Sequence, residues 1–388
     1  MCDVPALRFP EFSGEWKKLR LSDFATKITK KNKGNIVKNV LCNSANLGLV
    51  PQGNYFDREI ANTENTDGYY VICNGDFVYN PRKSTAAPFG PVNIYEGEDA
   101  GIISPLYLCF SVHNIFPKFL YYRFKSSAWH SYVYSHGDSG VRFDRVSIKD
   151  DVFFDMPIYK PAQDEQIKIA TLLQLIDDRI STQNKIIEKL ETLIKGIVEL
   201  AFSHAATSNT LGCYITQISQ RNKIGKNLPV LSVSNKHGFV EQSEQFEDRI
   251  IASDDTSNYK IVSINDFAFN PARINVGSIA RLKDKECGIV SPMYICFRTS
   301  KDILPEYLEL FFKTVMFSFE VKKRLEGSVR LCLSYESLCE IVIPVISIRE
   351  QHSLVKMVTA FYSKLGVEKI FLRSCQSQRQ YLLSQMFI

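Results

Sequence analysis

The 388-residue chain contains no apolar run approaching the roughly 18 residues that a membrane-spanning helix needs. Its opening, MCDVPALRFPEF, lacks the basic start and apolar core of a signal peptide, so the expected setting is the cytoplasm. Ten cysteines occur, but no two form a CxxC pair and no histidine stands at metal-ligand spacing from them. That pattern excludes a disulfide framework and a structural zinc site. Cys109 and Cys296 lie in apolar stretches and read as reduced, buried thiols. A Walker loop, a GxGxxG turn after a strand and an HExxH helix are equally missing, which removes the phosphate, dinucleotide and zinc chemistry those motifs carry. The six histidines fall at different places in the two halves of the chain and belong to no repeated site. No catalytic set and no cofactor site is expected.

What the chain does have is a long helix, twice. From Glu165 to Phe202 there is no proline, and apolar residues recur at Ile169, Leu173, Ile176, Ile180, Ile187, Leu190, Ile194, Ile197 and Ala201. Steps of four and three, broken by one polar slot at Gln183, are the seam of a coiled coil. Such a helix is roughly 55 Å long and reads as a spacer. An offset of 185 carries it onto Glu350 to Phe387, with seam positions Leu354, Val358, Phe361, Leu365, Glu368, Leu372, Cys375, Arg379, Leu382 and Met386. Gln183 and Glu368 occupy the same polar slot, and antiparallel pairing brings both near the middle of the stalk.

The segments before each helix also repeat. Asp76-Phe77-Val78-Tyr79-Asn80-Pro81 returns as Asp266-Phe267-Ala268-Phe269-Asn270-Pro271. Ile103-Ser104-Pro105-Leu106-Tyr107 returns as Val290-Ser291-Pro292-Met293-Tyr294, and Met156-Pro157-Ile158 as Ile343-Pro344-Val345. Short runs rich in Val, Ile, Tyr and Phe between Gly, Asn and Pro predict strands, and Pro117 to Tyr134 and Pro305 to Arg324 predict helices. The expected fold is mixed α/β. Two repeated globular domains, residues 1–160 and 205–347, alternate with two long antiparallel coiled-coil helices, residues 161–204 and 348–388. The first fourteen residues read as a leader that packs on something else.

Net charge is only +5, but the cations are unevenly placed. No acid occurs from Phe24 to Phe56, where Lys27, Lys30, Lys31, Lys33 and Lys38 accumulate, nor from Phe77 to Tyr95, nor from Phe116 to His136. Acid-free basic windows favour a polyanionic partner. The loops after the two Asn-Pro dipeptides carry Arg82, Lys83, Ser84 and Thr85 in one half and Arg273, Asn275, Ser278 and Arg281 in the other. A second loop pair, Gly137 to Arg145 and Gly327 to Arg330, carries Arg142 and Arg145, and Arg330, with a Val-Arg just after a glycine in each. With Lys30, Lys31 and Lys33, and with Arg221 and Lys223 in the second half, these are the candidate DNA-binding residues, since guanidinium and ammonium groups meet phosphates and guanine edges. The Asn-Pro dipeptides lack the second proline and aromatic of an adenine-methyltransferase motif, and read as strand-end turns. The alternative is a coiled-coil interaction scaffold without DNA binding.

Nearly the whole chain resembles the specificity subunit of type I restriction-modification systems. The residues that carry the resemblance are Leu7-Arg8-Phe9-Pro10-Glu11-Phe12 with Gly14-Glu15-Trp16, and Gly75-Asp76-Phe77 with Ile103 to Tyr107. The most specific is Pro161-Ala162-Gln163-Asp164-Glu165-Gln166-Ile167 followed by Leu175-Ile176-Asp177-Asp178-Arg179-Ile180. The second copy keeps Ile348-Arg349-Glu350-Gln351 but has AFYSKL, Ala360 to Leu365, in place of LIDDRI. The resemblance implies a non-catalytic subunit with two target recognition domains, each reading half of a split double-stranded DNA site. It also implies partners: two methyltransferase subunits docked on the helices, and motor-nuclease (restriction) subunits in a complete complex.

Overall fold

The computed structural model describes residues 3–54, 66–137, 144–205, 207–225, 227–242, 256–327 and 331–388. The chain divides into two compact units, one of residues 1–184 with 370–388, the other of residues 185–369.

The first unit is built on an antiparallel four-stranded sheet. In chain order its strands are β1 (Lys17–Arg20), β2 (Ala25–Lys27), β3 (Leu41–Ser44), β4 (Gly48–Pro51), β5 (Tyr70–Ile72), β6 (Phe77–Tyr79), β7 (Val92–Ile94), β8 (Gly101–Ile103), β9 (Leu108–Val112) and β10 (Pro157–Lys160). The central sheet has the order β2-β9-β6-β7; β1 pairs with β10, β3 with β4 and β5 with β8. Phe77 and Phe110 face each other across the β6–β9 ladder and stack with ring centroids 5.2 Å apart. Around them α1 (Pro117–Lys125), α2 (His130–His136) and α3 (Asp150–Phe154) bury Phe119, Phe124, Trp129 and Phe153 in one core.

The second unit repeats that plan. Its strands are β11 (Thr207–Thr210), β12 (Ile215–Ile218), β13 (Val230–Ser234), β14 (Gly238–Glu241), β15 (Lys260–Ser263), β16 (Phe267–Phe269), β17 (Ile279–Arg281), β18 (Cys287–Val290), β19 (Ile295–Thr299) and β20 (Val342–Val345). The sheet order β12-β19-β16-β17 matches the first unit, and β11 pairs with β20 as β1 does with β10. Phe267 and Phe297 stack at 5.1 Å in the place of Phe77 and Phe110. One difference is that β14-β13-β18-β15 form a continuous sheet, through a parallel β13–β18 pair, where the first unit has two separate antiparallel pairs, β3-β4 and β5-β8, joined among the described residues by the bridge Val40–Ile102.

Each helix expected as one piece, Pro117 to Tyr134 and Pro305 to Arg324, is two. Ser126 ends α1 by donating its hydroxyl to the Arg123 carbonyl, and the buried Trp129 indole takes the Phe124 carbonyl at 3.0 Å. In the second unit α5 (Pro305–Phe311) and α6 (Val315–Lys323) are separated by buried Thr314. Its hydroxyl donates back to Phe311 O and accepts from Phe317 N–H, so it closes one helix and caps the next. A short helix, α7 (Tyr335–Cys339), precedes β20.

The long helix α4 runs from Gln163 to Ser203 and the last helix α8 from Ile348 to Gln385. Every seam position is buried or half-buried, and Gln183 is 4% exposed. Within the first unit Ile169, Leu173 and Ile176 share the core with Leu382, Met386 and Phe387; Arg379 forms an ion pair with Asp177, and Arg179 lies over the Phe371 ring. Within the second unit Lys369 pairs with Glu191 at 2.6 Å and Phe202 packs on Tyr307 and Phe311. The compact units therefore take helix segments with them, because those segments complete their cores. The leader packs on the first unit: Arg8 makes a two-pronged bond to Glu165, and Leu7 N–H reaches Gln385 O. Among the described residues, no helix is long and apolar enough to cross a membrane.

Candidate nucleic-acid interface

The predicted cations gather around turns built twice on the same plan. Lys31 and Lys33 flank Asn32; Arg221 and Lys223 flank Asn222. Both asparagines are buried, at 2% and 1% exposure, while the four flanking cations are exposed. Each asparagine heads a turn closed by a backbone bond from the residue three ahead, Asn35 N–H to Asn32 O and Gly225 N–H to Asn222 O. That closing residue has φ of 52° in Asn35 and 63° in Gly225, the left-handed region that asparagine and glycine tolerate best. Asn32 further holds Val37 through both its amide nitrogen and its oxygen, at 2.9 Å each. A buried amide pins the turn from inside and leaves the charged neighbours pointing outward.

The Asn-Pro loops are likewise duplicated. Asn80 accepts from Arg82 N–H at 3.0 Å, and Asn270 from Ala272 N–H at 3.0 Å, which turns the chain sharply at each strand end. Val146 N–H then bonds Pro81 O, and Leu333 N–H bonds Pro271 O. The two basic loops of the first half are thus stitched together. Arg82 and Arg145 form a backbone bridge, and Lys83 N–H donates to Asp144 O. Arg142 and Arg330 lie outside the described residues. Ser84 bonds Ala87 within its exposed loop, and Arg273 and Asn275 are exposed on and beside a short 3-10 turn.

Between these loops in the first unit lies a cleft of about 470 Å³ walled by Lys27, Tyr70, Pro105, Leu106, Tyr107 and Arg145, among others. Lys31 stands over the Tyr70 ring at 5.9 Å, so the Lys31 turn and the Arg82–Arg145 loops border one surface. Burial pushes the Tyr107 hydroxyl above its usual range, and the nearby charges of Arg145 and Arg82 pull against that shift. The Nε of Arg145 is buried and has no hydrogen-bond partner among the described residues. Among the described residues, Lys30, Lys31, Lys33 and Lys83 have no acid within ion-pair distance. Arg82 has Asp144 only at 3.9 Å, with both side chains largely exposed.

Arg281 is engaged within the fold. Its guanidinium is paired with Glu306 at 2.5 Å and Glu309 at 3.1 Å and donates to Asn265 at 2.6 Å, so its charge is neutralised within the fold. Burial would raise the Glu309 carboxyl, but Lys283, Lys313 and Arg281 hold it below the usual range. Arg221 is partly engaged, through Asn258. Two acid-free windows are also less free than their sequence suggests: Lys27 pairs with Asp150 and Lys118 with Glu96, each at 2.5 Å, because folding imports acids from distant segments. Sequence reasoning missed Asn32, Asn222 and Tyr70. The signal for the asparagines was present as Lys-Asn-Lys and Arg-Asn-Lys at one repeat offset.

Residues 13–192 match the family model of the type I restriction modification DNA specificity domain. No curated protein matches the chain. Among solved structures, the S subunit of a type I restriction-modification system from M. genitalium is 17% identical over 99% of both chains, with a TM-score of 0.56. The HsdS subunit from Thermoanaerobacter tengcongensis is 15% identical over 96% of both chains, at TM-score 0.52. A chain from work on complex assembly and conformational transition of a type I R-M system is 13% identical, covering 96% of this chain and 97% of that one, at TM-score 0.58. These likenesses are of fold, and they extend over both units, while the family match rests on the first. Residues 13–192 thus carry a type I restriction modification DNA specificity domain, and the whole chain has the fold of the S subunits it resembles.

Proposed function

We infer that this subunit reads a split DNA site, one half with each unit, and that α4 and α8 form an antiparallel spacer carrying methyltransferase partners. The observation that carries the reading is the duplicated basic face. The buried-asparagine turn and the Asn-Pro loop recur on one sheet order, while the residues the loops present differ. One scaffold with two loop sets suits two different half-sequences, with cations setting the register on phosphates and loop side chains reading base edges. Lys30, Lys31, Lys33, Arg82, Lys83, Ser84 and Arg145 then serve one half-site, and Arg221, Lys223, Arg273 and Asn275 the other.

Antiparallel pairing is supported by contacts in which partner numbers fall as α4 numbers rise, Asp177 with Arg379 and Arg179 with Phe371. A helix of 41 residues is about 60 Å long, enough to hold apart half-sites separated by one duplex turn of 34–36 Å. Leu175, Ile186, Leu193 and Leu200 stay exposed along one side of α4, which suits docking of a methyltransferase subunit. In this reading the chain supplies recognition. Methyl transfer belongs to the docked subunits, and motor-nuclease subunits join a complete complex.

The test is a DNA titration across salt, with and without the methyltransferase subunit. Affinity is expected to fall with salt by a slope of about 0.9 per phosphate neutralised, and to gain sequence preference in the assembled complex. A chain that binds no duplex at low salt in either state is an interaction scaffold, and the reading fails.

A further inference from the structure

Each unit carries an apolar side chain at the tip of a stiff turn on its basic face. Ser104-Pro105-Leu106-Tyr107 joins β8 to β9, and Ser291-Pro292-Met293-Tyr294 joins β18 to β19. In both, the tyrosine N–H donates to the serine carbonyl at 3.1 Å. Proline at the second position presets the turn, and the strand that follows runs into the central sheet through Phe110 or Phe297. Leu106 is nevertheless 67% exposed and Met293 56%.

Cations surround these tips. In the first unit Leu106 shares its cleft with Arg145 and with the Lys27–Asp150 ion pair, and Arg82 is near enough to act on the Tyr107 hydroxyl. In the second, Lys260 Nζ donates to Tyr294 O at 2.7 Å, and the backbone of Lys260 bridges to Arg221. An exposed leucine costs little by itself, but the same position is apolar, exposed and bracketed by cations in both units. Cations fix a protein on phosphates without reading sequence, whereas an apolar side chain distinguishes bases through the thymine methyl or a deformable base step.

We propose that Leu106 and Met293 are specificity-determining residues, each pressing its apolar side chain against the bases of one half-site. The proposal rests on the DNA-reading function inferred above and assigns the position that discriminates within it.

The experiment is selection from a pool of random-sequence duplexes by the subunit assembled with its methyltransferase partner, comparing the parent with Leu106→Ala and Met293→Ala. Leu106→Ala is expected to lose preference at one or two adjacent positions of one half-site, and Met293→Ala in the other half-site only. On the parent's selected duplex, affinity falls about 5- to 100-fold per variant with the salt slope unchanged. Leu106→Met keeps affinity for that duplex within a few fold. If both alanine variants enrich the parent's motif unchanged, or weaken binding to selected and random duplexes equally, the proposal is overturned. If the parent itself enriches no motif, the DNA-reading function fails instead.

Discussion

Arg273 and Arg281 show how one residue type meets opposite surroundings a few positions apart. Arg273 is exposed beside a 3-10 turn; Arg281 is enclosed by Glu306 and Glu309. Arg273→Ala is therefore expected to weaken DNA binding by about 1–3 kcal/mol and leave stability unchanged. Arg281→Ala should do the reverse: about 2 kcal/mol of stability is lost as two carboxylates lose their partner, with the salt slope of binding intact. Urea unfolding and DNA titration of both variants check the split. Arg8 belongs to the structural class as well. Its partner Glu165 is 1% exposed and also accepts from the Trp16 indole. Arg8→Met leaves a buried carboxylate without its cation, and a destabilisation of about 3–5 kcal/mol is expected in urea unfolding.

Among the elements, the turn headed by Asn32 joins stability to recognition under the proposed reading. Asn32→Ala removes the two bonds to Val37 and is expected to cost about 1–3 kcal/mol. It should also weaken binding to one half-site, because Lys31 and Lys33 lose their fixed presentation; methylation mapping would show that loss confined to one half. The central strands β9 and β19 make a second prediction. Burial pushes the Cys109 and Cys296 thiols from 9.0 up to about 12. The unfolded thiols release their protons from pH 9 upward while the folded ones hold them. The folded state thus binds more protons in that window, and stability present below pH 9 is lost as pH rises toward 12. A Cys109→Ala/Cys296→Ala variant should show a shallower fall of Tm above pH 9, whatever its Tm at neutral pH.

At the scale of the whole molecule the proposal is modular, and exchange of parts tests it. Replacing residues 43–145 by the matching block of a relative should change one half-site and leave the other intact, with residues 234–330 governing the second. Lengthening α4 just before Ser203 should alter the unread spacing and neither half-site, because it moves loops without changing them. Methylation-site mapping with the partner subunits present reads both. A first-block exchange that changes both half-sites would mean that the two units read DNA jointly.

The mixed α/β content and the two long helices were legible in the sequence, because apolar spacing is a local pattern that survives without knowledge of contacts. Ile169, Leu173, Ile187 and Ile194 were placed by period alone and are buried. The ends of short helices were not legible. Thr314 and Ser126 stop helices through hydrogen bonds, and nothing in the apolar pattern marks those bonds. The candidate site was legible only as a set of cations. Whether a cation is free depends on which acids the fold brings to it: Asp150 to Lys27 and Glu306 to Arg281, from segments far or separately folded in the chain. Charge pairing acts through space over a few ångströms. So composition along the chain marked acid-free basic windows, and only tertiary packing decided that Arg82 and Arg145 are bridged side by side while Arg281 is paired with Glu306 and Glu309.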